Sequence, residues 1–349
     1  MKACTFRENG GAYINDMLRK AVENGEHSYT VTGNWEIEEA VKVPSDFALI
    51  LDNCHLRMKD GVISNMFVNE HLDCLSPLVK DYDISIEGRG RAILDGGEPN
   101  ELNERVFKAD PSAFPGITHN AVNSILMFAH VDGIRVSGLQ IRNHRYWALT
   151  FAYCCHGVLQ NIDFQSNDTW IDEAGQLHHG LFRGQFKYEQ ICVKNADGID
   201  LRCGCHDFIV ENITGFTQDD GVAVNCIWGN VPAAYYAEGD CKDIWNIVIR
   251  NINMATYCSN VRLLNGDGNL LHDILIDGVF DAIRECRYTQ IGLGHVKIGD
   301  THKFYRDTPS KPGEVYNITV CNVHSTGRAA PVKVECAVDN LTLKNICRS

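Results

Sequence analysis

The 349-residue chain has no apolar run near the roughly 20 residues that cross a bilayer as a helix, so no membrane partner is expected. It is short of positive charge: 32 Lys and Arg stand against 45 Asp and Glu, a net charge of −13. Sequence-independent binding of nucleic acid rests on clustered Lys and Arg, so no nucleic-acid partner is expected either. An anionic ligand would need local positive charge built against that field. There is no CxxC pair, and Cys203-Gly204-Cys205 has the wrong spacing for a structural zinc site. No metal and no cofactor is therefore expected. No apolar signal region follows Met1-Lys2-Ala3-Cys4-Thr5. Cysteine itself is plentiful, with 15 residues, an odd count that a fully paired framework would not give. Several sit in apolar runs such as Tyr153-Cys154-Cys155, where a thiol packs as a small hydrophobe. These features predict free thiols and a cytoplasmic protein.

One segment shape recurs: a polar pair, alternating apolar residues, then Asn or Gly. Taking Ile134, Val158, Ile209, Ile247, Ile274, Ile318 and Leu341 as anchors, the shortest steps fall at 23, 24 and 27 residues. Sandwiches and barrels repeat strands every 8–12 residues or so, whereas a period in the low twenties suits a solenoid. The leucine and asparagine signature of leucine-rich repeats is absent. The reading is all-β: one right-handed parallel β-helix spanning 1–349, with Asn and Gly supplying left-handed turns and polar ladders. Ile14, Met17, Leu18, Ala21 and Val22 have helical spacing, which predicts a capping helix over 12–24. Residues 165–188 and 228–241 fit no coil and read as insertions on the binding face.

The sharpest polar cluster lies in consecutive coils. Asn195-Ala196-Asp197-Gly198 precedes one alternating run and Gln218-Asp219-Asp220-Gly221 the next. Asp197 and Asp219 are 22 residues apart, about one coil, so Asp197, Asp219 and Asp220 should share one patch. Crowded carboxylates resist full ionisation, and a protonated acid beside ionised neighbours is what glycosidic hydrolysis needs. An Asp-Asp-Gly turn alone would be an ordinary polar turn; its stacking on Asn-Ala-Asp-Gly makes the difference. Asp200 and Arg202 share a strand face beside this patch, as an exposed ion pair or as part of it.

These residues carry a resemblance. Ile84-Ser85-Ile86-Glu87-Gly88-Arg89-Gly90 with Leu94-Asp95-Gly96-Gly97, Ile141-Arg142-Asn143-His144-Arg145-Tyr146-Trp147-Ala148-Leu149, Asn195-Ala196-Asp197-Gly198 and Gln218-Asp219-Asp220 resemble, in order, motifs of the polygalacturonase-type glycoside hydrolases of family 28. That family belongs to the pectin-lyase-like β-helices, and the likeness covers roughly residues 35–349. It implies an inverting hydrolase of a plant-type, possibly pectic, saccharide. Asp219 would be the general acid, and Asp197 and Asp220 would hold the attacking water. Asn195 and Trp147 occupy motif positions, with Trp147 in or beneath the cleft.

Two departures bear on the substrate. The coil Tyr257-Cys258-Ser259-Asn260-Val261-Arg262 lacks the family's histidine. His295-Val296-Lys297 stands where the family grips a substrate carboxylate with Arg and Lys. Lys297 remains, His295 replaces the arginine, and Arg262 is a candidate substitute; a lost guanidinium weakens the case for a uronic acid. The alternatives are a β-helix polysaccharide lyase, with Lys297 or Arg262 as base, and a non-catalytic carbohydrate-binding β-helix. His178-His179, near Asp172 and Glu173, reads as a solvated loop rather than a metal site, and Trp170 as packing.

Overall fold

The computed structural model describes residues 5–100, 102, 104–166, 169–172, 174–179, 191–193, 195–281, 293–301, 308–326 and 329–349. The expected right-handed parallel β-helix is what the chain forms. Coils contribute a long strand, or in two early coils a pair of shorter ones, to a 12-stranded sheet and a short strand to a 9-stranded sheet. Every pairing in these two sheets is parallel. The short strands stack as Val41–Val43, Phe67–Asn69, Leu126–Ala129, Leu149–Ala152, Ile199–Arg202, Val222–Cys226, Val261–Asn265, Val296–Ile298 and Val332–Val334. Side chains alternate across a strand, so one set fills the lumen and the other faces out. The inward set forms one continuous apolar core from Ile14 to Val323.

Two of the seven anchors are shifted by one residue. Ile134, Ile247, Ile274, Ile318 and Leu341 do share a column, but its members in the other two coils are Gly157 and Phe208. Val158 and Ile209 point the other way and are half-buried. The cause is a size exchange between neighbouring coils: a Cβ on Gly157 would lie 2.1 Å from the Phe208 ring. Glycine here makes room for the next coil's phenylalanine, and apolar identity alone pointed to the wrong residue.

The capping helix runs Gly10–Glu23 and seats Ile14, Leu18 and Ala21 on the first coil. Val22, expected inside, is exposed. Glu38 caps the helix start, its carboxylate accepting the N–H groups of Gly11 (3.2 Å) and Ala12 (3.0 Å). No described helix is long and apolar enough to cross a membrane.

Of the insertions, Thr169–Asp172, Leu177–His179 and Ile191–Val193 form a small antiparallel sheet; 180–190 lie outside the described residues. His178 Nε2 lies 2.8 Å from Asp172 Oδ2 within it. The second insertion, 228–241, carries a short helix, Asn230–Ala234, that folds back over earlier coils. Val231 and Tyr235 cover Val68 and Met127 on the outer face of the short-strand sheet. Tyr153 Oη donates to Pro232 O at 2.8 Å, and His130 Nε2 meets Tyr235 O at 2.7 Å.

Candidate functional site

The site lies on the outer face of the short-strand sheet, beyond the coils that 228–241 covers. Register stacks Thr150, Asp200, Ala223, Arg262, Lys297 and Lys333 in one outward column. Just before each strand a second column holds Asp197, Asp220 and Ser259. Ile199 pairs with Val222, so Asp197 stacks on Asp220 at a step of 23, not on Asp219 as the 22-residue count suggested. The glycines set this register: a Cβ on Gly198 would lie 2.6 Å from Gly221 O, and one on Gly221 would lie 2.7 Å from Asn260 O. Asp-Gly recurs because the Asp reaches the next coil while the Gly lets the backbones close.

The three carboxylates do converge. The Asp220 N–H donates to Asp197 Oδ1 (3.1 Å), and the Ser259 N–H donates to Asp220 Oδ1 (2.7 Å). Carboxylate oxygens of Asp219 and Asp220 and the Cys258 sulfur lie within 4.8 Å of one another, close enough to share a divalent cation. Asp219 and Asp220 are half-buried, whereas Asp197 is 6% and Asp200 0% exposed. Burial, then the charges of Asp200 and Asp220, push the Asp197 carboxyl well above the ordinary range. Burial raises Asp200 to about 6 against the opposing pull of Arg202. Asp200 Oδ1 accepts from Arg202 Nη1 at 3.2 Å, while buried Oδ2 receives no hydrogen bond from a nitrogen or hydroxyl. Burial and mutual charge thus couple Asp197 to Asp200. Asp200 is thus part of the cluster, and not the exposed pair with Arg202 that was one reading of the sequence.

The cationic half of the column is tied up internally. Arg262 Nη2 and Lys297 Nζ both donate to Asp300 Oδ2, at 2.6 and 2.5 Å, and all three side chains are buried. Lys297 also lies 2.9 Å from Glu335, which holds Lys333 at 2.5 Å. His295 is buried against Asn260, with Nδ1 2.8 Å from its Oδ1. An imidazole therefore stands one coil beyond Tyr257–Arg262, whose lack of histidine was a departure from the family pattern. Burial lowers the His295 pKa against the opposing charge of Asp281, 3.7 Å from its Nε2.

Trp147 is in place but not as an open platform. The Arg202 guanidinium sits 4.5 Å from its ring centroid, and Tyr146 stacks at 4.8 Å. It packs against the apolar cluster of Val68, Met127, Val231 and Tyr235, and its ring faces the arginine that pairs with Asp200. Asn195 is buried, its Oδ1 accepting the Arg145 N–H at 3.0 Å and its N–H donating to Gln218 Oε1 at 3.0 Å. It clamps neighbouring coils instead of lining the groove. Asp300 was missed: it follows Gly299, outside every motif, and only the turn after Val296–Ile298 brings it to Arg262.

No family model and no curated protein matches the chain. Among solved structures, the tailspike of E. coli bacteriophage HK620, in complex with a pentasaccharide, aligns at 13% identity and TM-score 0.56 over 97% of this chain and 60% of the tailspike. The exopolygalacturonase of Thermotoga maritima aligns at 12% identity and TM-score 0.50, over 96% of this chain and 88% of the enzyme. The surface adhesin PfbA of Streptococcus pneumoniae aligns at 10% and TM-score 0.44, over 99% and 91%. At these identities the likeness is one of fold: the chain has a parallel β-helix, with a buried carboxylate and cation column on its short-strand face.

Proposed function

We propose that the protein is a glycoside hydrolase acting on a saccharide whose reacting unit is uncharged. Carboxylate oxygens of Asp219 and Asp220 lie within 4.8 Å of each other, closer than the roughly 6.5–9.5 Å of an inverting pair, so inversion rests on the family resemblance alone. The observation that carries the hydrolase reading is the grouping of Asp197, Asp200, Asp219 and Asp220 at two successive strand entries, with Asp197 and Asp200 buried and the Asp220 N–H on the Asp197 carboxylate. Asp219 and Asp220 are the half-exposed pair and are assigned the contact with substrate. A general acid must come within about 2.6–3.2 Å of its oxygen. Asp219 protonates the leaving oxygen, as the resemblance to family 28 implies. Asp220, kept acceptor-ready by the Ser259 N–H, activates water. Asp197, buried and coupled to Asp200, positions Asp220 through its backbone N–H. This reading takes the chain as a single β-helix domain in a reducing compartment, in keeping with the twelve cysteines whose side chains are described, all free thiols.

The pairing of Arg262 and Lys297 with buried Asp300 favours a neutral sugar: a uronate would have to displace Asp300 from both cations. The same pairing weighs against a lyase, which needs one of these groups as a free base. The test is incubation of purified protein with neutral and uronic oligosaccharides, with products analysed by mass spectrometry and ultraviolet absorbance. Hydrolysis gives new reducing ends from neutral substrates. Unsaturated products would move the lyase forward, and binding without turnover would move the non-catalytic carbohydrate-binding β-helix forward.

A further inference from the structure

A second cluster lies on the opposite sheet, where the long strands begin, and the glycosidase reading makes no use of it. There register stacks Asp132, Cys155, His206, Trp245, His272 and Tyr316. The next position is a turn residue with positive φ in each coil: Gly133, His156, Asp207, Asn246, Asp273, Asn317 and Asn340. Most of these tie coil to coil by side-chain hydrogen bonds: Asn246 to Asp207, Asn317 to Asp273 at 2.8 Å, and Asn340 to Asn317 at 2.8 Å. His156 makes such a tie, to Asp132 of the preceding coil, but with an imidazole where the ladder has Asn or Asp. Its side chain is 60% exposed, so packing does not select it.

What surrounds His156 is a mixed donor set. One oxygen of Asp132, the Cys155 sulfur and one ring nitrogen of His156 all lie within 4.8 Å of one another. His156 Nδ1 is 2.6 Å from Asp132 Oδ1, and its Nε2 is 3.8 Å from Asp207 Oδ2. Asp207 is in turn held by His206 Nδ1 at 2.6 Å. A tetrahedral zinc ion about 2.0–2.3 Å from each donor places the donors about 3.3–3.8 Å apart. The three donors, each within 4.8 Å of the others, would reach that by small shifts of the exposed Asp132 and His156 side chains. Thiolate, imidazole and carboxylate together suit a borderline first-row dication and not calcium or magnesium, which take oxygen alone.

We propose that Asp132, Cys155 and His156 form a binding site for a zinc-class divalent ion, with Asp207 and His206 as the outer support and water as fourth ligand. The metal replaces the thiol proton of Cys155, which is released to solvent. The ion would staple the coil of Val131–Ser137 to that of Cys155–Gln165, on the side of the helix away from the carboxylate column.

The experiment is titration of the full chain, freed of metal by chelator and kept reduced, with cobalt(II) and then zinc. One equivalent of cobalt should give a thiolate-to-cobalt charge-transfer band with tetrahedral visible bands, and zinc should remove both. Cys155→Ser should abolish the charge-transfer band. His156→Asn, which restores the residue type of the ladder and so should fold, should weaken binding by at least about 100-fold, the upper end for losing even an outer-shell partner. A site that takes up no cobalt, or a charge-transfer band that survives in Cys155→Ser and so belongs to another thiol, overturns the proposal.

Discussion

The turns of the long sheet and the outer face of the short-strand sheet are both polar, yet they are built in opposite ways. At one turn Asn161, Asn212, Asn251, Asn322 and Asn345 all hold positive φ. Asn212 donates to Asn161 and Asn251 to Asn212, each at 3.1 Å, in solvent-exposed positions. The rungs repeat the same residue, save where Gly278 stands between Asn251 and Asn322 and Asn322 donates to Asp277 instead. On the short-strand face the column reads Thr150, Asp200, Ala223, Arg262, Lys297 and Lys333, no two neighbours alike until its end, and five of the six are buried. Repetition at an exposed turn answers a backbone demand that recurs in each coil. Charged side chains buried without repetition carry a desolvation cost that the backbone does not require, and such groups cluster where chemistry is done.

Substitutions should separate the two regions. The largest effect is expected at Asp220: Asp220→Asn should lower turnover by about 10²–10⁴, the usual worth of a general base, in steady-state kinetics on whichever substrate is cleaved. A loss under tenfold would place the base elsewhere. Asp300→Asn should release Arg262 and Lys297 and improve KM for a uronic oligosaccharide by about tenfold, the scale of one charge-assisted hydrogen bond; an unchanged preference would show that these cations do not face the sugar.

A smaller effect concerns pH. Asp197 and Asp200 bind their protons more tightly folded than unfolded. Their contribution to stability is therefore whole below about pH 4, the unfolded carboxylate value, and is lost as pH rises through about 6 and beyond. Asp197→Asn fixes the neutral form, so thermal melts at pH 5 and pH 8 should lie closer together than in the parent chain, by about 2–5 °C. An unchanged gap would contradict the raised pKa of Asp197. Asn251→Ala should do least. It costs about 1–2 kcal/mol in denaturant melts, from a lost ladder bond and left-handed strain, with kcat untouched.

Much of the fold was legible because an inward apolar alternation must recur wherever a coil recurs. Its errors arose where size outweighed hydrophobicity, as at Gly157 and Phe208. The carboxylates were legible as a group, since Asp-Gly marks each strand entry, but the count from Asp197 to Asp219 slipped because glycine and not aspartate sets the register. Asp300 and the fold-back of Tyr235 onto His130 were not legible at all. Each joins segments far apart in sequence by a turn that carries no motif. The burial of Asp200 has the same origin, for alternation places it outward and says nothing of what covers it.

The assignment of the proton is tested most directly by the leaving-group dependence of Asp219→Asn and Asp197→Asn. Aryl glycosides of graded leaving-group acidity would be compared with an unactivated oligosaccharide. Asparagine at 197 keeps the oxygen that accepts the Asp220 N–H and offers Asp200 a donor, as the protonated acid does. Asp219→Asn is predicted to lose about 10²–10⁴ on the unactivated substrate and far less on the most activated aryl glycoside, while Asp197→Asn loses under about tenfold on both. If the steep dependence appeared instead in Asp197→Asn, or if Asp197→Asn abolished turnover of every substrate equally, the buried aspartate would be the acid or the base, and the roles assigned to this column would be wrong.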